Sequence, residues 1–132
     1  MTGEKDLDKL LSSISPELLD GEYVFCTFQN AHYGDHSDLE PIASFIESEG
    51  LTLVVPKSKA NEQGLSYESV FKGITLRVHS SLEAVGLTAA LSQKLTEYGI
   101  SANVIAGYYH DHIFVQKEHA EKAIEALNEF AR

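Results

Sequence analysis

Positive charge is what this sequence has least of: ten Lys and Arg stand against twenty Asp and Glu, for a formal charge of −10. The basic residues form no stripe or cluster, so the electrostatic attraction that dominates nucleic-acid affinity is missing. An anionic lipid surface is disfavoured for the same reason. Nor is there a long apolar run: no stretch approaches the roughly 20 residues that span a bilayer. The opening MTGEKDLDKLLSS has neither the basic start nor the apolar run of a signal peptide. Cys26 is the single cysteine, with no disulfide partner and no CxxC companion, which fits a reducing compartment. It lies in an apolar run and reads as a small buried hydrophobe. These absences predict a cytoplasmic protein with neither nucleic acid nor membrane as a partner.

What is present is a globular composition, 43% hydrophobic and 23% charged, in a chain of 132 residues. That length holds one ordinary domain or two small ones that share a core. Leu7, Leu10, Leu11 and Ile14 recur at helical spacing until Ser15-Pro16 stops them. Glu22 to Phe28 reads as a buried strand, and the polar stretch from Gln29 to Ser37 as a loop. Asp38 is expected to cap a helix carrying Leu39, Ile42, Ala43 and Ile46 on one face, which Gly50 ends before a strand from Leu51 to Val55. Lys57 to Ser66 reads as a surface loop or one helical turn, and a further strand is expected around Tyr67 to Phe71.

The second half follows the same plan. Ile74, Leu76 and Val78 alternate with polar residues as a half-buried strand does; Gly86 opens a helix striped by Leu87, Leu91, Leu95 and Tyr98; Gly99 ends it. Asn103 to Tyr109 and His112 to Gln116 form a strand pair, with a tight turn expected between them. The last helix carries Ala120, Ala123, Ile124, Leu127 and Phe130. The helix exits Glu49-Gly50-Leu51 and Tyr98-Gly99-Ile100 match, which suggests a degenerate duplication with halves at 1–70 and 71–132. The fold class is therefore α+β: ferredoxin-like βαββαβ units, an antiparallel sheet with helices on one face. The second half shows only three clear strands, so the halves must complete each other or sheets must join across a dimer.

The chemistry-bearing segment is the strand–turn–helix from Ile74 to Ala90. The first amides of its helix lack intrahelical partners, and Gly86 lets an anionic group approach the backbone. Ser80 and Ser81 offer hydroxyls, either to a ligand or simply as helix caps. His110 and His112 are the other candidates. In an extended segment both imidazoles share a face and could reach one metal, with His79, or Asp35 and His36, as further ligands. If His110-Asp111 forms the hairpin turn, they diverge. The loop from Asn30 to His36 could lie over a second, pseudo-equivalent ligand site.

The run V-H-S-S-L-E-A-V-G-L-T-A-A-L-S-Q-K-L-T-E-Y-G-I-S-A-N-V-I resembles an ACT domain at Gly86, Leu95, Gly99-Ile100 and Val104-Ile105. With A-G-Y-Y-H-D-H-x-F-V at Ala106 to Val115, the chain is similar to small bacterial ACT-domain proteins of unknown function. The resemblance implies units that pair side by side, as a homodimer or higher homo-oligomer, and an amino-acid-like ligand at the interface. By position the ligand contacts would be His79, Ser80, Val85, Gly86, Leu87 and Thr88, faced by Asn103, Val104 and Ile105; the residue chemistry, apart from the resemblance, adds His110, Asp111 and His112 as candidate additional contacts. The proline common before the glycine is Val85 here. The expectation is a non-enzymatic regulatory sensor, without cofactor or resident metal. The alternatives are a small metal-dependent enzyme using His110 and His112, and a ligand-free dimerisation module.

Overall fold

Asp6 stops the chain from fraying at its first helix: its carboxylate accepts from the amide of Lys9 at 3.2 Å, and α1 runs Leu7–Ser12 with Leu10 fully buried. The computed structural model describes residues 6–78, 81, 82 and 84–131. After α1 come β1 (Pro16–Leu18), β2 (Tyr23–Phe28), a 3-10 turn (Ser37–Leu39), β3 (Ala43–Glu47), β4 (Gly50–Pro56), α2 (Lys57–Glu62) and β5 (Phe71–Leu76). They are followed by α3 (Leu87–Glu97), β6 (Asn103–Ala106), β7 (Asp111–Gln116) and α4 (Ala120–Asn128). None of the described helices is long and apolar enough to cross a membrane.

The chain divides into two compact units, and the larger joins everything up to Asp20 with everything from Lys72 onward. Its strands lie in the order β1–β5–β7–β6. The fourth strand that the C-terminal sequence lacks is β1, paired antiparallel to β5 with Pro16 opposite Leu76, Glu17 opposite Thr75 and Leu18 opposite Ile74. Alternation then sorts the side chains. Ile74, Leu76, Ile113 and Val115 face a core filled by Leu10 and Ile14, by Leu91 and Leu95 of α3, and by Ala123 and Leu127 of α4. The 3.6-residue spacing of those helical residues is what the sequence displays, and the packing explains it.

The opposite face of β5 is not the half-open surface that alternation suggested. Gly73 through Leu76 are all buried, because Leu19 and Phe114 close over Gly73 and Thr75 lies beneath His112.

The smaller unit, Gly21–Phe71, is built on β4. β2 pairs with one edge of β4, from Tyr23 opposite Pro56 to Phe28 opposite Leu51, and β3 pairs with the other, from Ala43 opposite Val54 to Glu47 opposite Gly50. Val24, Cys26, Leu51, Leu53 and Val55 form its core with Leu39 and Ala60. Burial pushes the Cys26 thiol up, so it stays a neutral, packed side chain.

Four sequence expectations are corrected by the structure. The helix expected from Asp38 is a 3-10 turn followed by strand β3. Glu40 takes a left-handed conformation at φ 52, Pro41 has no amide to donate, and the amide of Ile42 already bonds Val54 O at 2.8 Å as part of the sheet. Gly50 accordingly ends no helix. It follows the Ser48-Glu49 turn, where a β-carbon would meet Phe28 O at 2.8 Å. Of the two matched glycines only Gly99 closes a helix. Finally, Tyr67 to Val70 are not a strand; β5 begins at Phe71, which pairs with Tyr23. Lys57 to Glu62, given as a loop or single turn, form the six-residue α2.

Candidate functional site

Within the larger unit, Thr75 on β5 touches His112 on β7, and His112 lies opposite Ile105 on β6. These pairings fix one end of the sheet. There β5 gives way to the chain that leads to α3, and β6 turns into β7 through Gly107, Tyr108, Tyr109 and His110. The amide of Gly107 bonds His110 O at 2.9 Å, so the exposed, edge-to-face Tyr108 and Tyr109 form the turn. The expected turn at His110-Asp111 is thus displaced by two residues, and β7 begins at Asp111.

His79 and Ser80 lie outside the described residues. Ser81 accepts from the amide of Ala84 through its carbonyl at 3.0 Å. The N-cap is Gly86, at φ 98, with no side chain to offer. Val85 before it is 84% exposed, and Thr88 is exposed as well. Leu87 turns into the core and can present only its amide to a ligand. The N-cap position therefore supplies no side chain to the first amides of this eleven-residue helix, where the positive end of its dipole lies. Leu7 of α1 explains Gly86 a second way, because its Cδ2 lies 3.2 Å from where a β-carbon would stand.

Of the residues expected to face this loop, Asn103 begins β6 and donates from Nδ2 to Phe114 O at 3.1 Å. Val104 packs against the core, and Ile105 is half-buried. Asn103 sits at the far end of the four-residue strand from the turn, so Ile105 is the β6 candidate nearest the end where α3 starts.

The histidine pair is organised by its neighbours. His112 Nδ1 is 3.0 Å from Thr75 Oγ1, and its Nε2 lies 3.2 Å from where a Gly107 β-carbon would stand. Burial lowers the His112 pKa, with the like charge of His110 adding to it. His110 Nδ1 is buried without a hydrogen-bond partner among the described residues. Asp111 between them is 7% exposed; burial raises its pKa, and the two imidazoles pull it back in lesser measure. Among the described residues no three His, Cys, Asp or Glu are arranged to hold a metal ion. Nearby, Arg77 clasps Glu17 through Nε at 3.0 Å and Nη2 at 3.1 Å, and its guanidinium holds that carboxyl below the usual range.

Sequence reasoning missed Thr75 and the Glu17–Arg77 pair. Both depend on β1 pairing with β5, sixty positions apart for the ion pair, and no local spacing announces that. In the smaller unit, the polar loop proposed over a second ligand site is bonded to itself. The His32 amide donates to Asp35 Oδ2 at 2.7 Å, the Asp35 amide donates to His32 O at 2.9 Å, and His36 stacks on Phe28 at 3.9 Å.

The ACT domain matches the chain twice, over residues 2–72 and over residues 68–129. A Vibrio cholerae protein of unknown function, described as a possible transport protein, is 62% identical, with a TM-score of 0.88 over 97% of this chain and 98% of that one. An Agobacterium tumefaciens protein shares the fold at 15% identity, with a TM-score of 0.69 over 89% of each chain. So does the regulatory subunit of aspartate kinase from Thermus thermophilus, at 11% identity and a TM-score of 0.63, over 91% of this chain and 99% of that one. No curated protein matches. The fold is two ACT units of ferredoxin-like α+β type, and the chain belongs to the ACT-domain family.

Proposed function

We propose that this protein is a non-enzymatic cytoplasmic sensor that binds a small amino acid and passes its occupancy to a partner through ACT-type association, as a homodimer or larger homo-oligomer. The observation that carries the reading is the start of α3: an eleven-residue helix whose N-cap is a glycine without a capping side chain, in a chain of a regulatory family. Open amides at a helix start suit a carboxylate. Val85, Gly86, Leu87 through its amide, and Thr88 are the contacts on this side. His79 and Ser80 belong to the same proposed site by sequence, Asn103, Val104 and Ile105 are its β6 contacts, and His110, Asp111 and His112 lie at the turn. The likeness to an aspartate kinase regulatory subunit supports an amino acid as the ligand class.

A thermal-shift screen of the twenty amino acids tests this directly. A ligand that binds only the folded form stabilises it by RT ln(1 + [L]/Kd), about 2.7 kcal/mol at a hundredfold excess over Kd. One or a few amino acids are expected to raise the melting temperature, and Thr88→Ala or Val85→Ala to weaken that effect without lowering the ligand-free transition. If no amino acid at millimolar concentration moves the transition, the sensor reading is wrong.

A further inference from the structure

Asp111 is out of place in a purely structural account. It is the first residue of β7, 7% exposed, and alternation sets it on the side of Ile113 and Val115, the side covered by helices. A carboxylate in such a place normally accepts hydrogen bonds from turn amides or pairs with Arg or Lys. Among the described residues none donates to it: the Gly107 amide goes to His110 O, and Arg77 is engaged by Glu17. Among the described residues the charged groups that act on it are the imidazoles of His112 and His110, and burial outweighs both. Next to it, His110 Nδ1 is buried without a hydrogen-bond partner among the described residues. Two adjacent residues with unmet polar capacity thus sit at the end of the unit where α3 begins.

We propose that Asp111 is the acceptor for the ammonium group of a small-molecule ligand. The choice of an ammonium over a metal follows from what surrounds it. A divalent ion asks for several oxygen or imidazole ligands, which the described residues do not assemble. An ammonium needs one strong acceptor and gains most where that acceptor is shielded from water. An α-amino acid would then be read at both ends, its carboxylate by the amides that open α3 and its amine by Asp111. This second half of the statement rests on the amino-acid reading above, whereas the ammonium site stands by itself.

The test uses the full chain and two probes. Methylammonium chloride, against potassium chloride at equal ionic strength, is expected to shift the Asp111 amide resonance and to raise the melting temperature of the wild type. Neither response is expected from Asp111→Asn. In the amino-acid screen, any amino acid that stabilises the wild type should bind Asp111→Asn at least about tenfold more weakly, the loss of one charge-assisted bond. If methylammonium leaves the wild-type resonance unmoved, or moves wild type and variant alike, the proposal fails. A shift produced by calcium chloride instead would replace it with a metal site. An amino acid that binds both forms equally would sink the Asp111 assignment and leave the sensor reading intact. A methylammonium response that needs Asp111, in a protein no amino acid stabilises, would do the reverse. Because the resonance shift is read on the wild type, a poorly folding variant does not blunt the test.

Discussion

At Gly86 the backbone sits at φ 98, and a methyl of Leu7 lies 3.2 Å from where a β-carbon would go. Gly86→Val therefore meets strain and a clash at once, and should cost about 1–3 kcal/mol in chemical denaturation whether or not a ligand binds there. Thr88→Ala, on an exposed position, should stay within about 0.5 kcal/mol of the wild type. The glycine was legible as a helix start, but its dependence on Leu7 was not, because that contact spans most of the chain.

The two perturbed groups at the β6–β7 turn pull in opposite directions with pH. His112 binds its proton less tightly folded than unfolded. The stability tied to its neutral form is complete above its ordinary value of 6.5 and is lost as pH falls below that through the folded value. Asp111 binds its proton more tightly folded than unfolded. Its contribution is complete below 3.8 and is lost as pH rises through the elevated folded value. Urea midpoints measured from acid to neutral pH should show Asp111→Asn more resistant than the wild type at neutral pH. His112→Gln should flatten the dependence just below 6.5 while losing about 1 kcal/mol with the Thr75 contact.

Among the elements, α1, α3 and α4 are readable because their apolar residues repeat at the helical period, with Pro16 and Gly99 beyond the ends of the first two. β3 was misread for an equally physical reason. Leu39, Ile42, Ala43 and Ile46 fit a helical stripe, yet Leu39 closes the 3-10 turn, buried, and Ala43 to Glu47 pair with β4 as an edge strand on which Phe45 and Ile46 stay 71% and 62% exposed. A helix there would have hidden one face; the strand hides neither. An exposed apolar edge invites pairing with other strands. Phe45→Lys should accordingly reduce self-association in sedimentation experiments while changing the melting temperature little. The candidate site was legible at the α3 start, where a glycine precedes a periodic helix, and illegible at Thr75 and Glu17, which meet their partners only through tertiary strand pairing.

Taken as a whole, the molecule consists of one unit made from a continuous stretch and one made from both sides of it. A fragment confined to residues 71–132 lacks β1 and the buried Leu10 and Ile14, and should show no cooperative thermal transition by circular dichroism. Leu10→Ala in the full chain should cost about 2–5 kcal/mol in equilibrium unfolding, the range for a large buried side chain emptied to a methyl.

The pairing of Pro16–Leu18 with β5 carries a consequence for how the polypeptide is made. On the ribosome the interior stretch from Gly21 to Phe71 is synthesised contiguously and can collapse as it emerges. The segment before it must wait, with Leu10 and Ile14 exposed, until β5, β7 and α4 have followed it out of the tunnel. Nascent chains stalled after Phe71 should thus resist protease over the interior stretch while α1 is still cut, and protection of α1 should arrive only once α4 has been translated.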